Sequence, residues 1–149
     1  MRAVIQRVSR ASVTAEGSEI ARMGAGLLAL VGVGRSDGEA QARELARRML
    51  QLRVFPDAEG RMNLCLLEVG GTLGVVSQFT LFGDARHGRR PSYVAAAPGE
   101  HAEPLLEILV ETARELGAPV VTGRFGAMMD VALVNEGPVT ILLDTEKNF

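Results

Sequence analysis

The sequence predicts an α/β fold: a compact, layered domain with a mixed β-sheet and two main helices. Strand-like segments come first, and two amphipathic segments with helical periodicity then alternate with further strands. Hairpin-type connections join some strands and helices join others, so antiparallel and parallel pairing should occur in one sheet. With 149 residues, the chain has the length of one domain, residues 1–149, with a sizeable core.

The first third of the chain predicts four strands. Ala3 to Val8 is the first, and Ser12 to Ala15 with Glu19 to Met23 flank Glu16-Gly17-Ser18 as a hairpin. Leu27 to Val33 is continuously apolar, which predicts a strand that is central in the sheet.

The first helix is predicted to follow Ser36, which stands three residues before Glu39 with capping-box spacing. Its apolar residues recur at helical spacing and should face the core: Ala42, Leu45, Ala46, Met49 and Leu50. Its other face carries Arg43, Arg47 and Arg48. These arginines could touch RNA, but a solvated helix face is the better interpretation.

The middle of the chain predicts short strands at Arg53 to Phe55 and Met62 to Leu67, joined by a turn. Leu73 to Val76 reads as a buried strand that continues through Ser77-Gln78-Phe79-Thr80-Leu81. Alternation would place Gln78 and Thr80 on one face of that strand. Polar groups on a core strand cost free energy unless paired, so this stretch is either satisfied core polarity or a functional site.

Residues 83 to 99 are predicted to form one long polar loop, with Arg86, His87, Arg89 and Arg90 within five positions. The charges alone leave a solvated loop and a phosphate contact equally open. The second helix is predicted from Ala102 to Leu116, with Pro104 in its first turn and Gly117 as its stop.

The last third predicts three strands: Val120 to Phe125, Val131 to Val134 and Val139 to Leu143. Between the last two, Asn135-Glu136-Gly137-Pro138 is first of all a turn. Met128 and Met129 are more often gap-filling core residues than ligand contacts. The tail from Thr145 to Phe149 shows no clear structure.

Composition excludes several classes of protein. The net charge of −2 argues against a protein that coats nucleic acid, so any RNA site should be small. No apolar run is long enough to span a membrane, and no signal peptide is visible. A single Cys65 cannot form an internal disulfide, which fits the cytoplasm. His87 and His101 offer neither zinc-ligand spacing nor a recognisable catalytic triad, so no metal or cofactor is expected.

Two stretches in combination resemble one family. Ser77-Gln78-Phe79-Thr80-Leu81, followed far downstream by Asn135-Glu136-Gly137-Pro138-Val139-Thr140, is similar to the signature of the D-aminoacyl-tRNA deacylases. Further matches run in order along nearly the whole chain: Ile5-Gln6-Arg7-Val8, Gly24-Ala25-Gly26-Leu27-Leu28, Met62-Asn63-Leu64, Arg90-Pro91-Ser92 and Thr122-Gly123-Arg124-Phe125. Tyr93 is a mild departure, because the family more often has Phe there.

The resemblance implies an enzyme that releases D-amino acids from the 3′ end of tRNA, and glycine from glycyl-tRNA(Ala). Backbone N–H groups of Phe79 and Thr80 would stabilise the oxyanion, while Ser77 and Gln78 hold the loop and the substrate. The 2′-hydroxyl of the RNA would assist. Thr80 as a covalent nucleophile stays open as the second mechanism.

The resemblance also implies a homodimer, in which a cis Gly137-Pro138 element enters the active site of the other subunit and excludes L side chains. Phe125 and Met129 would lie near the terminal adenosine, and Arg90 beside the active site. Two alternatives remain: a dimer that binds an RNA 3′ end without catalysis, and a hydrolase of small acyl esters that uses Thr80.

Overall fold

The chain folds into eight strands, two α-helices and one short 3-10 turn. The computed structural model describes all residues from Met1 to Phe149. The elements in chain order are β1 Arg2–Ala15, β2 Ser18–Met23, β3 Gly26–Gly32, α1 Glu39–Gln51, β4 Phe55–Pro56, β5 Met62–Leu64, β6 Thr72–Ser77, the 3-10 turn Phe79–Phe82, α2 Gly99–Glu115, β7 Val120–Thr122 and β8 Met129–Asp144.

The main sheet is mixed, as predicted. Its order is β2-β1-β3-β6-β7, with β8 paired to the other edge of β1. β1 pairs antiparallel with β2, β3 and β8, whereas β3–β6 and β6–β7 are parallel. The apolar strand β3 lies inside the sheet, which confirms its predicted central position. β2 and β7 approach each other, so the sheet curls towards a barrel.

The strands β1 and β8 are longer than predicted. The two segments expected at Ala3 to Val8 and Ser12 to Ala15 are one strand, and the expected turn at Gly137-Pro138 lies within β8. The physical reason is their mutual pairing, which runs from Arg2 opposite Asp144 to Ala15 opposite Met129. Local irregularities are absorbed as bulges in this ladder rather than ending it.

Both helices cover one face of the sheet and pack against each other. All five apolar residues predicted for the core face of α1 are buried. Ser36 does not cap α1, because the N-cap is Gly38 and its N–H is bound by the Gln41 side chain at 2.9 Å. The helix α2 begins at Gly99, so Pro104 lies in its second turn rather than its first.

Several short strands are shorter than predicted. β4 begins only at Phe55, β5 ends at Leu64, and β7 ends at Thr122. After β5 the backbone closes a tight turn, in which the Val69 N–H donates to the carbonyl of Cys65 at 3.3 Å. That turn places Leu66 in the main core, which explains an apolar pattern that resembled a longer strand.

Two apolar clusters hold the fold together. The larger joins the helices to one face of β1, β3 and β6, and the smaller lies on the opposite face, around Val8, Leu28 and Val76. Neither helix has the length and apolarity that a membrane span requires. The tail beyond β8 has no helix or strand, but Asn148 donates a hydrogen bond to Asp144 at 2.8 Å.

The close contact between β3 and β6 gives a test of the packing. A Cβ on Gly26 would lie 1.9 Å from the carbonyl oxygen of Thr72, whereas one on Gly24 would meet nothing within 4 Å. We expect Gly26→Ala to lower the free energy of unfolding by about 2 kcal/mol or more, because the two backbones must separate. Gly24→Ala, the matched control, should change it by less than about 1 kcal/mol. Urea denaturation measures both, and equal effects would contradict the predicted contact.

Candidate active site

The polar stretch after β6 is a turn and not a continued strand. Ser77 is the last residue of β6, and Phe79–Phe82 form the 3-10 turn. Gln78 links the two, and its N–H donates to the carbonyl of Val31 on β3 at 2.7 Å. The predicted alternation of faces from Ser77 to Leu81 is therefore wrong beyond Ser77, because the backbone leaves the extended conformation after Gln78.

The turn leaves two backbone N–H groups at its beginning. The Leu81 N–H donates to the Gln78 carbonyl at 3.3 Å, and the Gly83 N–H donates to the Thr80 carbonyl at 2.9 Å. The N–H groups of Phe79 and Thr80 precede this ladder, as the first donors of any helix do. Both residues are exposed, so these donors can reach a ligand.

The Gln78 side-chain amide donates a hydrogen bond to the Thr80 hydroxyl. An amide cannot accept a proton at neutral pH, so Gln78 orients the hydroxyl without activating it. No His, Asp or Glu side chain makes a hydrogen bond to Ser77 or Thr80. The arrangement suits positioning better than nucleophilic attack by Thr80.

Two features hold the turn against the sheet. Gly32 at the end of β3 leaves room for it, since a Cβ there would lie 2.9 Å from the Gln78 carbonyl oxygen and 3.2 Å from Leu81. Arg2 donates to the carbonyl of Leu81 at 3.1 Å, and its guanidinium lies 4.5 Å from the centre of the Phe82 ring. This geometry combines a hydrogen bond with a cation–π contact.

Arg2 is itself held by Asp144 at the end of β8, with 3.5 Å between Arg2 Nε and Asp144 Oδ2. Burial alone would raise the pKa of Asp144, but hydrogen bonds from the Glu146 N–H and Asn148, with the charge of Arg2, lower it overall. The carboxylate therefore stays charged at neutral pH and can support Arg2.

A cavity of about 380 Å³ opens beside Ser77, between α2 and the ends of β6 and β7. Thr122, Gly123 and Phe125 line one side of it. Met129 does not line it, but its sulfur would lie 2.7 Å from a Cβ on Gly123, directly behind the wall. Met128, expected as a gap-filling residue, is 91 % exposed instead. The structure thus brings together Ser77 and Phe125, which are far apart in sequence.

The opposite wall of the cavity is acidic, and the sequence reasoning missed it. Glu103, Glu107 and Glu111 line it from α2 at four-residue spacing. That spacing is readable in the sequence, but it carries meaning only once the helix is known to face the cavity. The chain has no cluster of three or more His, Cys, Asp or Glu side chains arranged to hold a metal ion.

The long loop is fastened to the turn at its base. Asp84 and Ser92 exchange two backbone hydrogen bonds, of 2.8 and 2.9 Å, and the Tyr93 ring packs edge-on against Phe79 with 5.1 Å between centres. Hydrogen bonds from the Arg86 side chain and backbone hold the pKa of Asp84 well below its usual value. Arg90 is exposed in the loop, and its side chain makes no hydrogen bond or ion pair with another predicted site residue.

Gly137-Pro138 lies on a bulge of β8. Between the pairs Gln6–Thr140 and Val8–Asn135, β1 advances two residues while β8 advances five. The extra residues project from the sheet, and the Gly137-Pro138 peptide bond is cis, as the resemblance implied. Both residues are exposed.

The side chain of Asn135 closes the bulge. Its amide donates to the carbonyls of Arg7 at 3.0 Å and Val139 at 2.9 Å, which satisfies two backbone groups that the broken ladder leaves unpaired. The Arg7 side chain lies beneath, donating to the Val54 carbonyl at 2.5 Å with its Nε 3.4 Å from Glu136. Sequence reasoning noted Arg7 only in a matching stretch and assigned it no contact.

A family model described as D-Tyr-tRNA(Tyr) deacylase matches residues 4–144. A relative named D-aminoacyl-tRNA deacylase, from Roseiflexus sp. (strain RS-1), is 58% identical over 145 residues, which is 97% of this chain and 94% of the relative.

Two solved structures resemble the fold. One titled c-Myc DNA unwinding element binding protein is 37% identical, with a TM-score of 0.92 over 97% of this chain and 99% of the other. One titled as a probable eukaryotic D-amino acid tRNA deacylase is 17% identical, with a TM-score of 0.80 over 95% and 97% of the two chains, and shows likeness of fold alone.

Proposed function

The chain belongs to the D-Tyr-tRNA(Tyr) deacylase family and is a hydrolase of D-aminoacyl-tRNA, and we propose here how its residues carry out that reaction. The proposal rests on the backbone N–H groups of Phe79 and Thr80. Both come before the first N–H that donates a hydrogen bond within the turn, and both residues are exposed. That turn follows Ser77 directly, at the side of a cavity of about 380 Å³. Such donors suit the charge that develops on an ester carbonyl oxygen under attack.

Water is the nucleophile in the proposed reaction. Its oxygen attacks the ester carbonyl, and the negative charge moves to the carbonyl oxygen, facing the N–H groups of Phe79 and Thr80. Collapse breaks the bond to the ribose oxygen, which takes a proton, and gives a free D-amino acid and a free tRNA 3′ end. The neighbouring 2′-hydroxyl of the RNA relays the proton, because no His, Asp or Glu side chain makes a hydrogen bond to Thr80.

The cavity would take the terminal adenosine. Phe125 offers a ring for stacking on the base, and Met129 supports the wall behind Gly123. Ser77 and Gln78 then hold the turn and the substrate in position relative to each other. Positioning of this kind accounts for much of the rate in a reaction whose ester is already reactive.

Selection of D-amino acids is assigned to Gly137-Pro138 of a second subunit in a homodimer. Within the chain, the atoms nearest to a Cβ on Gly137 belong to Val139 and Arg7, and none belongs to the turn. β8 pairs on one edge only, and exposes Leu142 to 55 % and Val134 to 38 %. An open, partly apolar edge is suited to covering by another chain.

In the proposed dimer, the bulge stands where an L side chain would point, whereas a D side chain points away. Glycine has no side chain to exclude, so glycyl-tRNA(Ala) should also be a substrate. The site of action would be the cytoplasm, where tRNA is charged.

The first prediction concerns the stereochemistry of the reaction. Purified protein should release D-tyrosine from D-tyrosyl-tRNA and leave L-tyrosyl-tRNA intact at the same limiting concentration. The measurement is loss of labelled amino acid from tRNA over time. Equal release of both enantiomers would refute selection by exclusion, and no release of either would support binding of an RNA 3′ end without catalysis. Comparable hydrolysis of a D-tyrosine ester that lacks RNA would favour the small-ester alternative.

The second prediction separates the two mechanisms at Thr80. Thr80→Ala and the isosteric Thr80→Val should keep their rates within about tenfold of the wild type, because the proposed catalytic group is the backbone N–H. If the hydroxyl were the nucleophile, both folded variants would lose about three orders of magnitude or more in the single-turnover rate.

The third prediction tests the composite site. Gly137→Val fills the tip, where φ is +120° and a Cβ already lies 2.8 Å from Val139, and Ser77→Trp fills the cavity of its own chain. Each variant alone should be inactive. Mixed in equal amounts, they should regain about one quarter of the wild-type rate, because half of the dimers then hold one intact site of two. Mixed dimers that form and stay inactive would place the element in its own chain's site.

A further inference from the structure

The cations that border the cavity are already neutralised within the chain. Arg114 pairs with Glu111 at 2.7 Å, and Arg124 pairs with Glu16 at 3.4 Å. The acidic wall on α2 adds further negative charge, since that helix holds five glutamates and a single arginine. A nucleoside can occupy such a cavity, but a phosphodiester approaching across α2 would be repelled.

The tip of the long loop has the opposite character. Arg86 is paired with Asp84 at 2.6 Å, but Arg89 and Arg90 are exposed and form no ion pair or side-chain hydrogen bond. Guanidinium groups bind phosphate oxygens through paired N–H donors. Two free guanidinium groups in consecutive positions are therefore available to an anion.

The base of this loop is held next to the 3-10 turn. The Asp84–Ser92 hydrogen bonds close the loop at its base, and Tyr93 packs against Phe79 in the turn. A Cβ on Gly83 would lie 3.0 Å from the Tyr93 ring and 3.5 Å from Pro91, so the returning arm of the loop lies against the end of the turn. The loop that carries Arg89 and Arg90 is therefore joined to the turn that follows Ser77, and Ser77 lines the cavity.

We propose that Arg89 and Arg90 bind the phosphodiester groups of the single-stranded 3′ end of the tRNA. The RNA backbone then leaves the site over the loop and not across α2. This proposal rests on the proposed function and adds the path of the substrate. A net charge of −2 argues against binding to an extended duplex, and two adjacent arginines fit a short single strand.

The test is single-turnover hydrolysis of D-tyrosyl-tRNA with enzyme in excess, at KCl concentrations from about 50 to 300 mM. The double variant Arg89→Ala/Arg90→Ala should raise the half-saturating enzyme concentration by about tenfold near physiological salt, and leave the maximal rate within about twofold. The slope of log affinity against log salt should become shallower by about 1.4, the value for two phosphate contacts on a single strand.

Two control variants show whether the effect is specific to the loop arginines and whether it depends on their charge. Arg47→Ala removes an exposed charge from α1, which should leave both quantities unchanged. Arg89→Lys/Arg90→Lys keeps the charges and should restore the wild-type salt slope. An unchanged slope in the double alanine variant would overturn the proposal, as would a loss of maximal rate at saturation or an equal effect of Arg47→Ala. Hydrolysis by the wild type is scored separately, and its absence would refute the proposed function itself.

Discussion

The antiparallel ladder between β1 and β8 is the constraint on which the site depends. It covers nearly the full length of both strands, and β8 carries three more residues than β1 between two of its pairs. Those residues cannot be taken into the pleat, so they project as a bulge. Asn135 stabilises the projection by pairing the backbone groups that the ladder leaves open. The fold thus presents Gly137-Pro138 from a strand, which is more rigid than a free loop.

The 3-10 turn Phe79–Phe82 is held by contacts with residues near both ends of the protein. Asp144 closes β8 and holds Arg2, and Arg2 binds the Leu81 carbonyl and covers Phe82. The amino group of Met1 lies 2.5 Å from Asp37, beside the start of α1, and Asp37 also accepts the Gly34 N–H at 2.6 Å. The hydrogen bonds that join the turn to the sheet involve the Arg2 side chain and the Val31 carbonyl, both far from the turn in sequence, so no local pattern predicts them.

Sequence patterns predicted the layers of the fold better than the site. The spacing of apolar residues in α1 predicted which face of the helix is buried. The uninterrupted apolar sequence of β3 predicted its central position in the sheet. Both features depend on burial alone. A Gly-Pro pair by itself predicts a turn that ends a strand, yet the long-range pairing with β1 keeps Gly137-Pro138 within β8, and only the family resemblance implies the cis bond. The 3-10 turn at Phe79–Phe82 was missed because it begins where an extended strand ends. The acidic wall on α2 could not be predicted from the sequence, because its glutamates have the same spacing as those on any solvated helix face. Only the structure shows that they line the cavity.

The two hydrogen bonds between Asp84 and Ser92 also have a kinetic consequence. They close the loop at its base and leave seven residues between the two bonded positions. Ordering a free residue costs roughly 1–2 kcal/mol of backbone entropy, so a loop that is closed at its base has fewer residues left to order on a ligand than an open arm of the same length. Encounter with a polyanion should then resemble docking to a preformed surface, with an association rate governed by charge and salt rather than by loop rearrangement.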